Sequence, residues 1–202
     1  ILLENKLDFN FNEVLDYAAS LYFYKSVEKK HNLHEIIKFI NIRMKVYFNS
    51  IGISQDAINS VMKRELNPYE IYNKSHILNL FINKKKGKNF LTAYKRIDSI
   101  LKNSCSKNDI KKNKFCETYE KDLYNKTNDI RSKIKKLNLN ENLDEALNCI
   151  CELTPTINCF FENVIVNIND QFKKENRLAL LNFTKKTLNQ LCDFSQFKDN
   201  YE

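Results

Sequence analysis

The chain has 202 residues, a formal charge of +8 and a pI near 9.1, with 43% apolar and 12% aromatic residues. That content supports a buried core and excludes a disordered chain, while two glycines and two prolines leave little material for the turns of a strand-rich fold. The positive balance suits a polyanionic partner, with a merely basic surface as the plainer reading, and no apolar run is long enough to cross a bilayer.

Long helices joined by short polar connectors are therefore predicted. The first runs from Asn12 to about Ser26, with Val14, Leu15, Ala18, Leu21 and Tyr22 on one face. The second, Leu33 to Asn49, places Ile36, Ile37, Ile40, Met44 and Phe48 inward and ends at Gly52. Ser54 is placed to cap a third helix carrying Ala57, Ile58 and Val61, and Asn67-Pro68 opens a fourth through Tyr72, Leu78 and Phe81. Lys84-Lys85-Lys86-Gly87 reads as a basic connector, followed by a helix from Phe90 to Leu101. Ser104 to Asn113 is polar and reads as a loop. Phe115 to Leu137 is a long charged helix and Leu143 to Leu153 another. Thr154 can cap a helix whose first position is Pro155 and whose face is Ile157, Phe160, Phe161, Val164 and Ile165; a last amphipathic helix begins near Asp170. The expected fold is all-α, with a smaller helical module over 1–87 and a helical bundle over 88–202.

The order of residues says more than the pattern. Leu153, Pro155, Ile157, Phe160, Phe161, Glu162 and Val164, then Asn176-Arg177-Leu178-Ala179-Leu180-Leu181 and Asp193-Phe194-Ser195, closely resemble the end of the glycyl-tRNA synthetase β-subunit family. Ile1 to Phe9, Phe39 to Gly52 and Leu91 to Lys102 resemble further segments of that family in the same order. The last of these, with Ala93, Lys95, Arg96, Ile97, Ile100 and Leu101, resembles the helix that opens a DALR-type anticodon-binding domain. Because Ile1 reads as lying within a helix, the chain is expected to be an excised, C-terminal portion of such a subunit. The resemblance implies tRNA(Gly) binding, a glycyl-tRNA synthetase α subunit as partner in an α2β2 assembly, and a cytoplasmic setting. It also implies ATP and magnesium used by the parent complex, at an adenylation site on the α subunit. No cofactor and no catalytic residue are expected within these 202 residues.

The candidate RNA-binding residues are Tyr94, Lys95, Arg96 and Lys102 on one helix, and Lys173, Lys174, Asn176 and Arg177 near the start of the last. Basic groups interleaved with aromatics can hold phosphate and stack on splayed bases. The plainer alternatives are that Tyr94 is core and that Arg177 pairs with Glu162 or Asp170. His31 and His34 lack further ligands in register, so no metal site is expected. The six cysteines contain no Cys-x-x-Cys pair and read as reduced thiols, with Cys159 and Cys192 packing as small apolar residues. Two other readings remain at this point: the anticodon-binding domain of another synthetase, such as arginyl, and a helical module that docks a protein rather than RNA.

Overall fold

A computed structural model of the chain describes residues 3–7, 11–22, 29–62, 67–102 and 110–198, which are all-α with no strand among them. They divide into two compact units, 1–79 and 80–202.

The first unit holds α1 (Phe11–Tyr22), α2 (Lys29–Ser50), α3 (Gln55–Met62) and most of α4 (Pro68–Asn83). Gly52, at φ 88°, ends α2: its N–H donates to the Asn49 carbonyl (3.0 Å) and that of Ile53 to the Phe48 carbonyl (3.1 Å). This is the paired closure that a left-handed residue after a helix allows. Ser54 Oγ then accepts from Ala57 N–H at the start of α3, where Ala57, Ile58 and Val61 are buried. Asn67 Oδ1 accepts from Glu70 N–H at 2.7 Å, with Pro68 opening α4. The cap and stop signals are thus used as the sequence implies.

Burial departs from expectation in α1 and α2. Val14, Leu21 and Ile36 are exposed, and Ile37, Ile40 and Met44 only half-buried, whereas Phe48 is fully enclosed. Apolar residues on α2 cover more than one face, with Phe39, Ile42, Val46 and Tyr47 also exposed, and its packing on α1 and α3 covers only part of them. The expected face residue Tyr22, and the end of the first helix at Ser26, lie outside the described side chains and residues respectively.

The second unit contains α5 (Lys85–Lys102), α6 (Thr118–Lys136), α7 (Leu143–Cys151), α8 (Thr154–Asn163) and α9 (Gln171–Leu188), with 3₁₀ turns at Lys112–Lys114 and Phe194–Gln196. The expected basic connector is reduced to Lys84, and α5 begins at Lys85. Gly87 explains the tight junction, since a Cβ there would lie 2.1 Å from the Phe81 carbonyl oxygen. α6 begins three residues later than expected because Glu120 reaches back, its Oε2 accepting from Cys116 N–H (2.6 Å) and Glu117 N–H (2.8 Å). Of the expected loop 104–113, residues up to 109 lie outside the described set; Lys112–Lys114 form the first 3₁₀ turn.

Thr154 is not a cap. Glu152 and Leu153 already have helical backbone, so α7 runs almost directly into α8; Thr154 is its first residue, and its buried hydroxyl has no hydrogen-bond partner among the described residues. Ile157, Phe160 and Val164 are buried as expected, but Ile165 is 72% exposed because α8 stops at Asn163 and the chain becomes extended at Val164. Asp170 caps α9 by accepting from Lys173 N–H (3.1 Å). α5, α6, α8 and α9 enclose the core, in which Phe90, Tyr94 and Phe194 pack with ring centroids 5.0–6.4 Å apart. Cys192 is buried there, whereas Cys159 is exposed on α8, contrary to its expected apolar role.

Candidate nucleic-acid interface

The candidate residues separate into buried and surface groups. Tyr94 is fully buried; its hydroxyl donates to Asn189 Oδ1 (3.0 Å), and burial pushes its pKa up. Asn176 is 6% exposed and clasps the backbone of Lys111, accepting from its N–H (2.8 Å) and donating to its carbonyl (3.2 Å). Arg177, 5% exposed, donates from Nε to Glu120 Oε1 (2.7 Å) and from a terminal nitrogen to the Ile165 carbonyl (2.7 Å). These three side chains are engaged inside the fold, so their expected role at a surface is corrected. The partner of Arg177 is Glu120, with Glu117 at 3.9 Å, not Glu162 or Asp170.

The other five remain on the surface but do not form one patch. Lys95 and Lys102 line a cleft of about 290 Å³ with Asp98, Phe194, Ser195, Phe197 and Lys198, where α5 meets the second 3₁₀ turn. Lys95 Nζ donates to the Lys198 carbonyl (2.9 Å), and Lys102 pairs with Asp98 (2.8 Å). Arg96 turns to α8 instead, its guanidinium 4.6 Å from the Phe161 ring centroid. Lys173 lies 3.7 Å from Asp170 at the start of α9, beside Lys174. Twelve residues of helix, roughly 18 Å of rise, separate Lys173 from Lys185, which reaches Asp98.

Asp98 organises the α5 end of this surface. Burial raises its carboxyl pKa, but hydrogen bonds from Lys102 and Lys185 outweigh burial and hold it below the usual carboxylate value. A second basic and aromatic region, absent from the sequence-based candidates, lies between α6 and α9. There Lys112 sits over Tyr124, Tyr124 stacks on Phe183, and Arg131 covers Phe183. The seven-residue spacing of Tyr124 and Arg131 was a usable sequence signal; Phe183, on another helix, could be joined to them only by the fold. Among the described residues no His, Cys, Asp and Glu group is arranged to hold a metal, and no helix is long and apolar enough to cross a membrane.

The second unit is thus a helical bundle with basic surface groups on several faces. The DALR anticodon binding domain model matches residues 90–194, and the chain belongs to that family. Over 96% of its length the chain is 33% identical to the glycine–tRNA ligase beta subunit of Rickettsia prowazekii. Similar proteins of the same description are found in Clostridioides difficile, 27% identical over 97% of the chain, and Sulfurihydrogenibium, 28% identical over 97%. The chain spans 28%, 28% and 27% of the length of these three relatives. The family likeness drawn from its residues is borne out.

Proposed function

We propose that this chain binds the anticodon arm of tRNA(Gly) as part of a glycyl-tRNA synthetase β subunit. It holds the tRNA so that the acceptor end reaches an adenylation site on an α subunit, where ATP and magnesium serve the parent α2β2 complex. The carrying observation is the match of residues 90–194 to an anticodon-binding domain family, within a chain whose relatives are described as glycine–tRNA ligase beta subunits. The charge of +8 and the exposed cations Arg96 and Lys173 support the choice of a polyanionic partner. A cytoplasmic location belongs to the same reading.

The bundle's own task is binding and orientation. Lysines and arginines contact phosphate and set position, while specificity requires hydrogen bonds to bases opened from the loop. Titrating the chain with tRNA(Gly) in the presence of excess unrelated tRNA tests this reading. Retained binding with an affinity that falls steeply with salt is expected; complete competition by unrelated tRNA, or a flat salt response, contradicts it.

A further inference from the structure

The aromatic stack between α6 and α9 has a cation at each end. Lys112 Nζ lies 4.7 Å from the Tyr124 ring centroid. Tyr124 and Phe183 have centroids 5.6 Å apart and planes 24° from parallel, and the Arg131 guanidinium lies 5.4 Å from Phe183. Tyr124 and Arg131 are two helical turns apart on α6, roughly 10.5 Å. That spacing admits the Phe183 ring of α9 between them. Tyr124, Phe183 and Arg131 are half-buried and Lys112 is exposed, so the stack is anchored at its base and open along its outer side.

The α6 stripe through the stack is basic, with one carboxylate, Glu117, at its N-terminal end, where it lies 3.9 Å from Arg177. Beyond Glu117 the stripe reads Lys121, Tyr124, Asn128, Arg131, Lys135 at three- and four-residue spacing. Asp122 and Asp129 lie on the other side of α6, where they line a cleft with Pro155 and Thr156 of α8. Several other cations of the bundle are neutralised, Lys126 and Lys133 by Glu152, Lys102 and Lys185 by Asp98 and Arg177 by Glu120, while Arg96 and Lys114 each lie over a single ring, Phe161 and Phe172. Lys112, Lys121, Arg131 and Lys135 make no ion pair among the described residues.

We propose that this α6–α9 face is the surface on which the unpaired loop of the bound tRNA lies, bases stacking against Tyr124 and Phe183 and phosphates held by Arg131, Lys121 and Lys135. The inference rests on the RNA-binding reading above and assigns that reading to a face. Unpaired RNA is the occupant whose chemistry fits. Its phosphates repeat along the strand as the cations repeat along α6, and its bases offer flat faces to ring edges and guanidinium planes. A duplex would hide those faces, and an acidic peptide would leave the aromatic stack without a counterpart. The cation–π contacts are worth only about 0.5–1 kcal/mol each at exposed sites, so the fold does not depend on them.

The test compares the full chain with two variants, using the tRNA(Gly) anticodon stem-loop and a blunt duplex of equal length. The first variant carries Lys121→Gln, Arg131→Gln and Lys135→Gln, and the second Lys95→Gln and Lys102→Gln in the α5 cleft; thermal melting confirms that each folds. Stem-loop affinity is expected to fall about tenfold or more in the first variant, with the log–log salt slope reduced by roughly two or more. The second variant should change little, and the duplex should bind the wild-type chain less tightly than the stem-loop. As an independent measurement, 5-bromouridine in the loop should photocrosslink to Tyr124 or Phe183. Loss of binding in the cleft variant alone, or crosslinks confined to other residues or absent, overturns the assignment while the RNA-binding reading stands. A wild-type chain that binds no RNA overturns both.

Discussion

Arg177 Nε and Glu120 Oε1 meet at 2.7 Å with both side chains almost fully enclosed, joining the second turn of α9 to the first turn of α6. Glu120 uses its other oxygen on the N–H groups of Cys116 and Glu117, and Arg177 also donates to the Ile165 carbonyl. One buried pair therefore holds the chain entering α6, the segment after α8 and the start of α9. Removing one partner of such a pair leaves an uncompensated charge. Arg177→Ala should destabilise the bundle by about 3–5 kcal/mol, read by chemical denaturation. Arg177→Lys, which keeps the charge but loses the planar fork, should also be destabilising.

At Gly87 the obstacle is backbone. A new Cβ would meet the Phe81 carbonyl oxygen and carbon at 2.1 and 2.8 Å, neither of which can swing away. Gly87→Ala ordinarily favours a helix, but here the start of α5 must move from α4. The expected result is a loss of about 1–3 kcal/mol, measured by urea unfolding, instead of the usual gain.

How much of this was legible in the sequence differs by kind of signal. Gly52, Ser54, Asn67 and Asp170 acted locally as caps and stops, because their chemistry needs only neighbours within a few residues. Residue type alone points to the RNA candidates, and type does not reveal burial. Arg177 and Asn176 look like surface groups until Glu120 and the Lys111 backbone, some sixty residues away in sequence, are brought to them. The same limit hid the Tyr124–Phe183 stack, which exists only where α6 and α9 meet. Gly87 resembled a linker glycine because its reason, the approach of Phe81, is tertiary.

Asp98 carries a pH dependence. Its folded pKa lies below the ordinary value because the bonds from Lys102 and Lys185 outweigh burial. A depressed carboxyl contributes stability that is complete above the unfolded value near ~4 and is lost as pH falls through the lower folded value. Wild-type stability should therefore drop on acidification below that point. Asp98→Asn should be less stable at neutral pH, by about 1–3 kcal/mol, and its acid decline should be shallower in melts recorded from pH 7 to 2.

The thiols should react in order of exposure. Burial raises the Cys151 pKa to about 11, and Cys192 is enclosed, while Cys116 and Cys159 are exposed. Iodoacetamide at neutral pH should modify Cys116 and Cys159 well before Cys151 and Cys192, as followed by peptide mass spectrometry. Early labelling of Cys192 would contradict the packing around Phe194.

The proposal that this chain binds the anticodon arm of tRNA(Gly) and discriminates its bases is tested most directly by exchanging anticodon bases. Glycine codons begin with two guanines, so the matching anticodon positions are cytosines, and the first anticodon base varies. Stem-loops with either cytosine replaced, with the first base replaced, or unaltered are titrated against the full chain at physiological salt. If each cytosine is read by hydrogen bonds to its Watson–Crick edge, replacing it should cost about 1–3 kcal/mol, a fall of roughly tenfold to a hundredfold in affinity, while replacing the first base changes binding far less. Equal binding of the unaltered and cytosine-replaced stem-loops would contradict the account.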